Sequence, residues 1–177
     1  VRTDQELMCA VAAGDMDAFE ELVLRYQDGA LRVAFRLLWN EEDASDAAQE
    51  AFLRILESAR RYRPVASFRT YLYRILTRVC VDHLRRRTRR EHVGTWGLAD
   101  SGSDAPLEVL ERREQAERVQ AAIAALPLRQ RIALVLKHYE GMSYDEIARA
   151  MGTSRRAVDS MLSRARQALK TRLSDLV

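Results

Sequence analysis

Glycine, proline and cysteine are scarce in this sequence: its 177 residues include seven glycines, three prolines and two cysteines. So few helix breakers leave room for long, uninterrupted helices. The three histidines are scattered, and none has cysteine or carboxylate neighbours at metal-ligand spacing. No glycine-rich phosphate loop, nucleophile elbow or paired-carboxylate motif is present. We therefore expect a protein that is not an enzyme and that uses no metal or cofactor.

Long hydrophobic runs are also missing. No apolar stretch approaches the roughly 18 residues of a membrane-spanning helix, and no signal-peptide pattern is visible. Cys9 and Cys80 lie far apart and form no close-spaced pair, which favours two reduced thiols in the core. We expect a soluble, cytoplasmic protein that does not insert into a membrane.

Positive charge is unevenly distributed, although the formal net charge is only +3. Between Arg60 and Arg90 there are eleven arginines, and Asp82 is the only acidic residue. A solvated helix would normally interleave acids with bases. Such a dense basic stretch instead favours a polyanionic partner, because cations that neutralise phosphates release counterions. Nucleic acid is the expected ligand class.

The hydrophobic pattern predicts an all-α protein made of two small helical domains. The first domain spans residues 1–91, with four amphipathic segments and a loop near Pro64. Residues 92–107 are rich in glycine, serine and aspartate and are interpreted as a linker. Trp96 and Leu98 are unusual in a linker; they indicate either weak docking onto a domain or insertion into a partner's channel. Helical periodicity resumes in the second domain, residues 108–177.

The strongest local motif runs from Ser143 to Leu162 and predicts a helix-turn-helix. Ser143 and Glu146 form a capping box that starts one helix, and Gly152 suits a sharp turn that requires positive φ. Ser154 is a good N-cap for the next helix. That second helix presents basic and small polar residues outward, which suits a helix reading the major groove while other cations hold phosphates. The alternative is a helical hairpin that binds protein.

A second candidate site lies in the arginine-rich stretch. Arg74, Arg78 and Arg85 fall on one side of a predicted helix, opposite its apolar face. Tyrosines are interleaved with these bases, and aromatic rings can stack on unpaired bases while arginines follow the backbone. Tyr62, in the loop beside Pro64, is expected to be the more exposed ring, whereas Tyr71 suits the core and the surface equally well.

Three blocks resemble, in order along the chain, the extracytoplasmic-function (ECF) group of bacterial sigma factors. Asp46-Ala-Ala-Gln-Glu-Ala-Phe-Leu-Arg-Ile resembles the family's polymerase-binding helix. Ser67-Phe-Arg-Thr-Tyr-Leu-Tyr-Arg-Ile with Asp82-His-Leu-Arg-Arg-Arg resembles its promoter-melting helix. Leu126-Pro-Leu-Arg-Gln-Arg, Glu140-Gly-Met-Ser-Tyr-Asp-Glu-Ile-Ala and Leu162-Ser-Arg-Ala-Arg resemble its carboxyl-terminal domain.

The resemblance implies a transcription initiation factor that directs core RNA polymerase to promoters. Contacts to the clamp of the β′ subunit are implied for Asp46, Gln49, Glu50 and Arg54. Contacts to the −10 element are implied for Tyr62, Arg63, Val65, Arg74, Arg78 and Arg85. Contacts to the −35 duplex are implied for Arg155, Arg156, Asp159, Ser160 and Arg164. The carboxyl-terminal helices would also rest on the β flap, and a separate anti-sigma factor would regulate the chain by covering its polymerase-binding faces.

Two alternatives use parts of the same pattern. An ordinary helix-turn-helix regulator would leave the acidic helix and the arginine-rich stretch unexplained, and it would usually need a dimerisation element. A sigma-like mimic that binds an anti-sigma factor would be expected to lose its basic and aromatic DNA-facing residues, which this chain retains.

Overall fold

The computed structural model describes residues 2–91 and 107–174. Within these ranges the chain forms eight α-helices and one short 3-10 turn, Ala59–Arg61, without any strand. The helices are α1 Asp4–Ala12, α2 Met16–Leu38, α3 Glu41–Ser58, α4 Phe68–Glu91, α5 Leu107–Ala124, α6 Leu128–His138, α7 Tyr144–Met151 and α8 Arg155–Arg172. The all-helical prediction is confirmed. The expected linker, with Trp96 and Leu98, lies outside the described residues apart from its last residue, Leu107.

Side-chain caps determine where the first three helices begin. Thr3 forms a capping box with Glu6 at the start of α1, and Asp15 accepts a hydrogen bond from the Ala18 amide at the start of α2. Asn40 does the same for the Asp43 amide at the start of α3. Each cap satisfies an amide that the first helical turn leaves without a partner.

Helices α1 to α4 form the amino-terminal unit, residues 2–91. Antiparallel α2 and α3 pack against each other, and α4 closes the bundle by packing on both. Its core is apolar, as the helical spacing predicts, and includes the fully buried side chains of Leu7, Leu22, Leu37, Ile55, Leu72 and Leu76. Burial of each such side chain stabilises the fold by about 1.5–3 kcal/mol.

One of the two cysteines departs from expectation. Cys80 is buried in the α4 face of the core, and this burial raises the pKa of its thiol to about 12. Cys9 is exposed, so its assignment to the core is wrong. Leu7, Met8 and Val11 form the buried face of α1, and the Cys9 side chain projects from a different side of the helix.

Helices α5 to α8 form the carboxyl-terminal unit, residues 107–174. Helix α8 packs against α6 and α7 around apolar side chains that include Leu136, Met142, Ile147 and Leu162 and that belong to the same buried cluster as the amino-terminal core. The two units contact each other directly, because α7 packs on α4 and α6 packs on α2. Surfaces on the two units therefore have a defined relation in this structure.

The turn between α7 and α8 requires a residue with positive φ at position 152, and this requirement can be tested. Gly152 has φ +61°, and a Cβ there would meet no atom within 4 Å, so the only cost of alanine is its left-handed backbone. We expect Gly152→Ala to lower the free energy of unfolding by about 1 kcal/mol, as measured by urea denaturation followed by circular dichroism. Gly152→Asn is the control, because asparagine tolerates this conformation and should cost less. Equal denaturation midpoints for the two variants would contradict the explanation.

Candidate nucleic-acid and polymerase interfaces

The predicted helix-turn-helix is confirmed, including the hydrogen bonds that start both of its helices. At the start of α7, the Ser143 amide donates to Glu146 Oε2 at 2.8 Å and the Glu146 amide donates to Ser143 Oγ at 3.2 Å. The bond from the Ser143 amide is the largest cause of the lowered pKa of Glu146. Gly152 ends α7 in the left-handed conformation, and Ser154 Oγ accepts from the Ala157 amide to begin α8. Local sequence chemistry therefore determines where α7 ends and where α8 begins.

Helix α8 separates an apolar face from a basic one. Val158, Leu162 and Ala165 are buried against the other helices of the unit. The five residues implied in −35 recognition are all exposed: Arg155, Arg156, Asp159, Ser160 and Arg164. Arg155 lies 3.3 Å from Asp145, but both side chains are mostly in solvent, so this ion pair contributes little. The outward side of the amino-terminal turns of α8 is therefore exposed to solvent.

Helix α4 carries the second basic surface. Arg74, Arg78 and Arg85 are exposed, whereas Leu76 and Val79 are buried, so the predicted division between faces is confirmed. Arg69 departs from the rest of the arginine-rich stretch. Its guanidinium donates to the Glu140 carbonyl oxygen at 3.0 Å and lies 3.4 Å from Glu146 Oε1. This cation therefore serves the contact between the two units.

The loop before α4 places the remaining −10 candidates at the surface. Arg63 is exposed, and Val65 has 83% of its surface in solvent. Tyr62 is half-buried instead of exposed, because its ring packs on Tyr71 with the centroids 5.0 Å apart. The Tyr71 hydroxyl is in turn 2.8 Å from Ser58 Oγ. The loop thus exposes Arg63 and Val65, while the Tyr62 ring is held by Tyr71.

Tyr73 cannot serve as a stacking platform in this arrangement. Only 1% of its surface is exposed, and its hydroxyl donates to Glu140 Oε2 across the contact between the units. Burial is the main cause of the raised pKa of Tyr73, and the neighbouring Glu140 adds to it, so the hydroxyl remains a donor. Its place among the arginines in the sequence gave no sign of this partner, which lies 67 residues away.

The four polymerase-binding candidates on α3 divide into two pairs. Asp46 and Gln49 are exposed and have no partner among the described residues. Glu50 is tied to Arg54 at 2.6 Å and to His83 of α4 at 3.2 Å. Burial would raise the pKa of Glu50, but the bonds from His83 and Arg54 outweigh burial and lower it. Glu50 and Arg54 therefore also hold α3 against α4.

One surface residue on α3 escaped the sequence prediction. Leu53 has 56% of its surface in solvent and lies one turn after Gln49 and two turns after Asp46, on the same outward face. Leu53 adds an apolar group to the face that presents Asp46 and Gln49. Its position outside the buried stripe of Ala48, Phe52 and Ile55 was the available signal.

The described residues lack two other kinds of feature. No group of three histidine, cysteine, aspartate or glutamate side chains in residues 2–91 and 107–174 is placed to hold a metal ion. Nor does any helix of the described part of the chain combine the length and apolarity needed to cross a membrane.

Two family models match the chain, one on each unit. Residues 22–90 match Sigma-70 region 2, and residues 116–169 match Sigma-70 region 4. The RNA polymerase sigma-H factor of Pseudomonas aeruginosa is 34% identical over 98% of this chain and 95% of its own length. The ECF RNA polymerase sigma-E factor of Escherichia coli K12 is 31% identical over 99% of this chain and 96% of its own length.

Solved structures share the arrangement of helices. CnrH, solved in complex with the cytosolic domain of CnrY, gives a TM-score of 0.75 at 26% identity and covers 97% of each chain. The sigma factor RpoE of Bartonella quintana, solved in complex with the anti-sigma factor NepR, gives a TM-score of 0.69 at 21% identity over 88% of this chain and 96% of that one.

Both family models and the relatives that match nearly the whole chain indicate one family. A protein of this family acts by binding and positioning, and it is not an enzyme. The chain belongs to the ECF group of the sigma-70 family and is a sigma factor that directs promoter-specific transcription initiation with RNA polymerase.

Proposed function

We propose that three separate surfaces divide the work of initiation: an α3 face that binds core polymerase, an α4 surface that binds the −10 element, and the outward face of α8 that reads the −35 duplex. The observation that carries this proposal is the separation of exposed polar faces on helices whose opposite faces fill the buried core. Residues 1–91 would form the polymerase-binding and −10 domain, residues 92–107 the linker, and residues 108–177 the −35 domain.

The polymerase-binding surface centres on Asp46, Gln49 and Leu53 in this proposal. The two polar side chains are exposed, and Leu53 adds an apolar contact beside them. Glu50 and Arg54 contribute a charged edge, which their bonds to each other and to α4 keep in place. An apolar centre with a polar border is the usual composition of a protein interface. The expected partner is the clamp of the β′ subunit, with the β flap meeting α5 to α8.

The −10 surface combines the loop before α4 with the outward side of α4. Tyr62, Arg63 and Val65 would surround an unstacked base, because the Tyr62–Tyr71 pair offers a rigid aromatic edge. Three exposed arginines of α4 would add positive charge to this surface: Arg74, Arg78 and Arg85. Cations on one helix face can follow the phosphates of a separated strand.

The −35 surface consists of the exposed residues on α8. Arg155 and Arg156 lie in its first turn, where helix-turn-helix proteins meet base edges. Arg164 would hold a phosphate further along the helix. Asp159 repels phosphate but can accept a hydrogen bond from a cytosine amino group, and Ser160 can bond to any base edge.

Cellular setting and regulation follow from the partners. Because core polymerase and promoter DNA are cytoplasmic, we expect this protein to act in the cytoplasm. We expect a separate anti-sigma factor to regulate it by covering the polymerase-binding faces. Support for such a partner comes from the shared fold of the Bartonella quintana sigma factor, which was solved with the anti-sigma factor NepR.

Core binding is tested most cleanly at Asp46. Asp46→Lys should reduce the affinity of the full chain for core polymerase at least tenfold in a fluorescence-anisotropy titration, because it reverses charge at an exposed position without breaking an internal bond. Glu50→Lys is less informative, since it also removes contacts to Arg54 and His83. Glu20→Lys, an equal charge change at an exposed position of α2, is the control. Unchanged affinity for Asp46→Lys would remove this face from the interface.

Duplex binding is tested by its dependence on salt. Replacing Arg155 and Arg156 with alanine should lower the slope of log K against log salt by up to about two units, because two phosphate-neutralising cations are lost. Filter binding of a −35 duplex between low and moderate salt measures the slope. Arg129→Ala, on the exposed side of α6, should leave it unchanged. An identical slope in the double variant would contradict the assignment of α8.

Strand opening is tested separately on α4. Arg74→Ala with Arg78→Ala should reduce permanganate reactivity of −10 thymines in the holoenzyme several-fold, because the displaced strand loses two backbone cations. Core affinity should stay at the wild-type value, since both side chains lie on a different helix from Asp46. Full reactivity at equal holoenzyme occupancy would place the −10 surface elsewhere.

A further inference from the structure

The loop that precedes α4 is held at both of its ends. Where the loop meets α4, Ser67 Oγ accepts a hydrogen bond from the Thr70 amide at 3.2 Å and lies 2.9 Å from Thr70 Oγ1, so Ser67 acts as the N-cap of the helix. At the start of the loop, the Tyr62 ring packs on the ring of Tyr71, which belongs to the first turn of α4. Residues 63–66 therefore lie between two fixed points.

Tyr71 is itself held by a chain of hydrogen bonds that leads to α3. Its hydroxyl lies 2.8 Å from Ser58 Oγ, and Ser58 Oγ lies 2.6 Å from the Arg54 carbonyl oxygen. A serine hydroxyl has one proton, and a carbonyl oxygen can only accept. Ser58 therefore donates to Arg54, and the Tyr71 hydroxyl donates to Ser58. This chain ties the ring on which Tyr62 packs to the last turn of α3.

Two more rings continue the aromatic packing beyond Tyr71. The ring centroid of Phe68 lies 6.5 Å from that of Tyr71, and the Tyr26 ring of α2 packs on Phe68 at 5.0 Å. Each of these pairs is tilted, which is a favourable geometry for aromatic rings. We call Tyr26, Phe68, Tyr71 and Tyr62 the four-ring cluster. Because only 3% of Phe68 is exposed, the cluster extends from the buried core to the surface loop.

Helix α1 supports the same region. The Tyr26 hydroxyl donates to Asp4 Oδ2, and Arg25 Nη1 donates to Asp4 Oδ1 at 2.9 Å, so both oxygens of this carboxylate have a partner. Helix α1 also packs against the 3-10 turn that leads into the loop. All four helices of the amino-terminal unit therefore contribute to holding the four-ring cluster and the loop that begins beside it.

The side chains that this support leaves uncovered are the −10 candidates of the loop. Arg63 and Val65 are exposed, and the Val65 amide donates to the Arg63 carbonyl oxygen at 2.8 Å, which closes a tight turn. Burial raises the pKa of Tyr62, as expected for a ring that its neighbours partly cover. Arg63, Val65 and the uncovered part of Tyr62 are the groups that an incoming base would meet.

A loop that is already fixed captures an unstacked base at lower cost than a loop that must become ordered on binding. Ordering a residue loses conformational entropy, and this loss weakens the affinity of the complex. A loop that is held at both ends has lost part of this entropy before DNA arrives. Groups that hold the loop can therefore strengthen base capture without touching DNA.

We infer that Ser58 and Tyr71 are positioning residues for capture of a −10 base. The bond between their hydroxyls keeps the Tyr71 ring in place, this ring keeps Tyr62 in place, and Tyr62 sets the conformation of the loop that receives the base. The inference rests on the proposed −10 role of the loop. It adds two residues, one on α3 and one on α4, that act on the base through Tyr62.

The test measures how much a single base contributes to binding by the holoenzyme. The probe is a fragment of a promoter that the holoenzyme transcribes, with its −10 segment single-stranded, and each −10 nucleotide is replaced in turn by an abasic one. The affinity for the intact probe divided by the affinity for an abasic probe gives the contribution of the missing base. Tyr62→Ala identifies the base that the loop receives, because it should lower this ratio at that position alone.

Variants of the hydroxyl pair should lower the affinity ratio at that same position. We expect Tyr71→Phe and Ser58→Ala each to lower it about two- to fivefold, because each removes the Ser58–Tyr71 bond. The double variant should lose no more than the single variants, since both changes break one bond. Ser58→Thr retains a hydroxyl and should restore the wild-type ratio. Tyr139→Phe, which removes a hydroxyl from an exposed ring of the carboxyl-terminal unit, is the matched control. Affinity for the abasic probe should be equal in all of these chains.

Four results would overturn the positioning role. They are an unchanged ratio in Tyr71→Phe or Ser58→Ala, losses that multiply in the double variant, a Ser58→Thr chain as defective as Ser58→Ala, and an equal loss of affinity for the abasic probe.

Failure of the proposed −10 role gives a different result. If Tyr62→Ala changes the ratio at no position, the loop does not receive a base, and the −10 assignment fails together with the inference. If Tyr62→Ala lowers the ratio while Tyr71→Phe leaves it unchanged, only the positioning role is refuted.

Discussion

Helix α4 is the element on which the rest of the structure depends, because one helix serves three different neighbours. Leu72, Leu76 and Val79 fill the amino-terminal core and keep α2 and α3 in place. The opposite side carries Arg74 and Arg78 into solvent. Because a helix has only 3.6 residues per turn, α4 can present only a narrow face to each of these neighbours.

The third neighbour of α4 is the carboxyl-terminal unit, where polar bonds accompany the buried apolar side chains. The core is apolar and cannot be opened without exposing leucine and valine side chains to water. At the contact between the units, Arg69 and Tyr73 also bond to Glu140, so this contact needs specific polar partners as well as apolar burial.

Bonds within α3 and α4 show how folding and recognition share residues. Glu50 bonds to Arg54 and His83, so a carboxylate proposed to face the polymerase also joins the two helices. The side chains of Asp46 and Leu53 are exposed and join no other helix among the described residues. A substitution on this surface can therefore weaken polymerase binding in two ways, by removing a contact to polymerase or by disturbing the packing of α3 on α4.

The sequence by itself determined the helices, the helix-turn-helix and the exposed basic faces, because these depend on interactions within a few residues. Ser143, Glu146 and Gly152 specify their turn through local hydrogen bonds and one backbone angle, and helical spacing alone separates Val158 from Arg155. The tertiary structure alone decided the partners of Arg69 and Tyr73 and the half-buried state of Tyr62. Periodicity reports which side of a helix is apolar, but it carries no information about which distant segment a polar side chain will meet. That choice arises only when the two units dock, since the contacts span 67 residues or more.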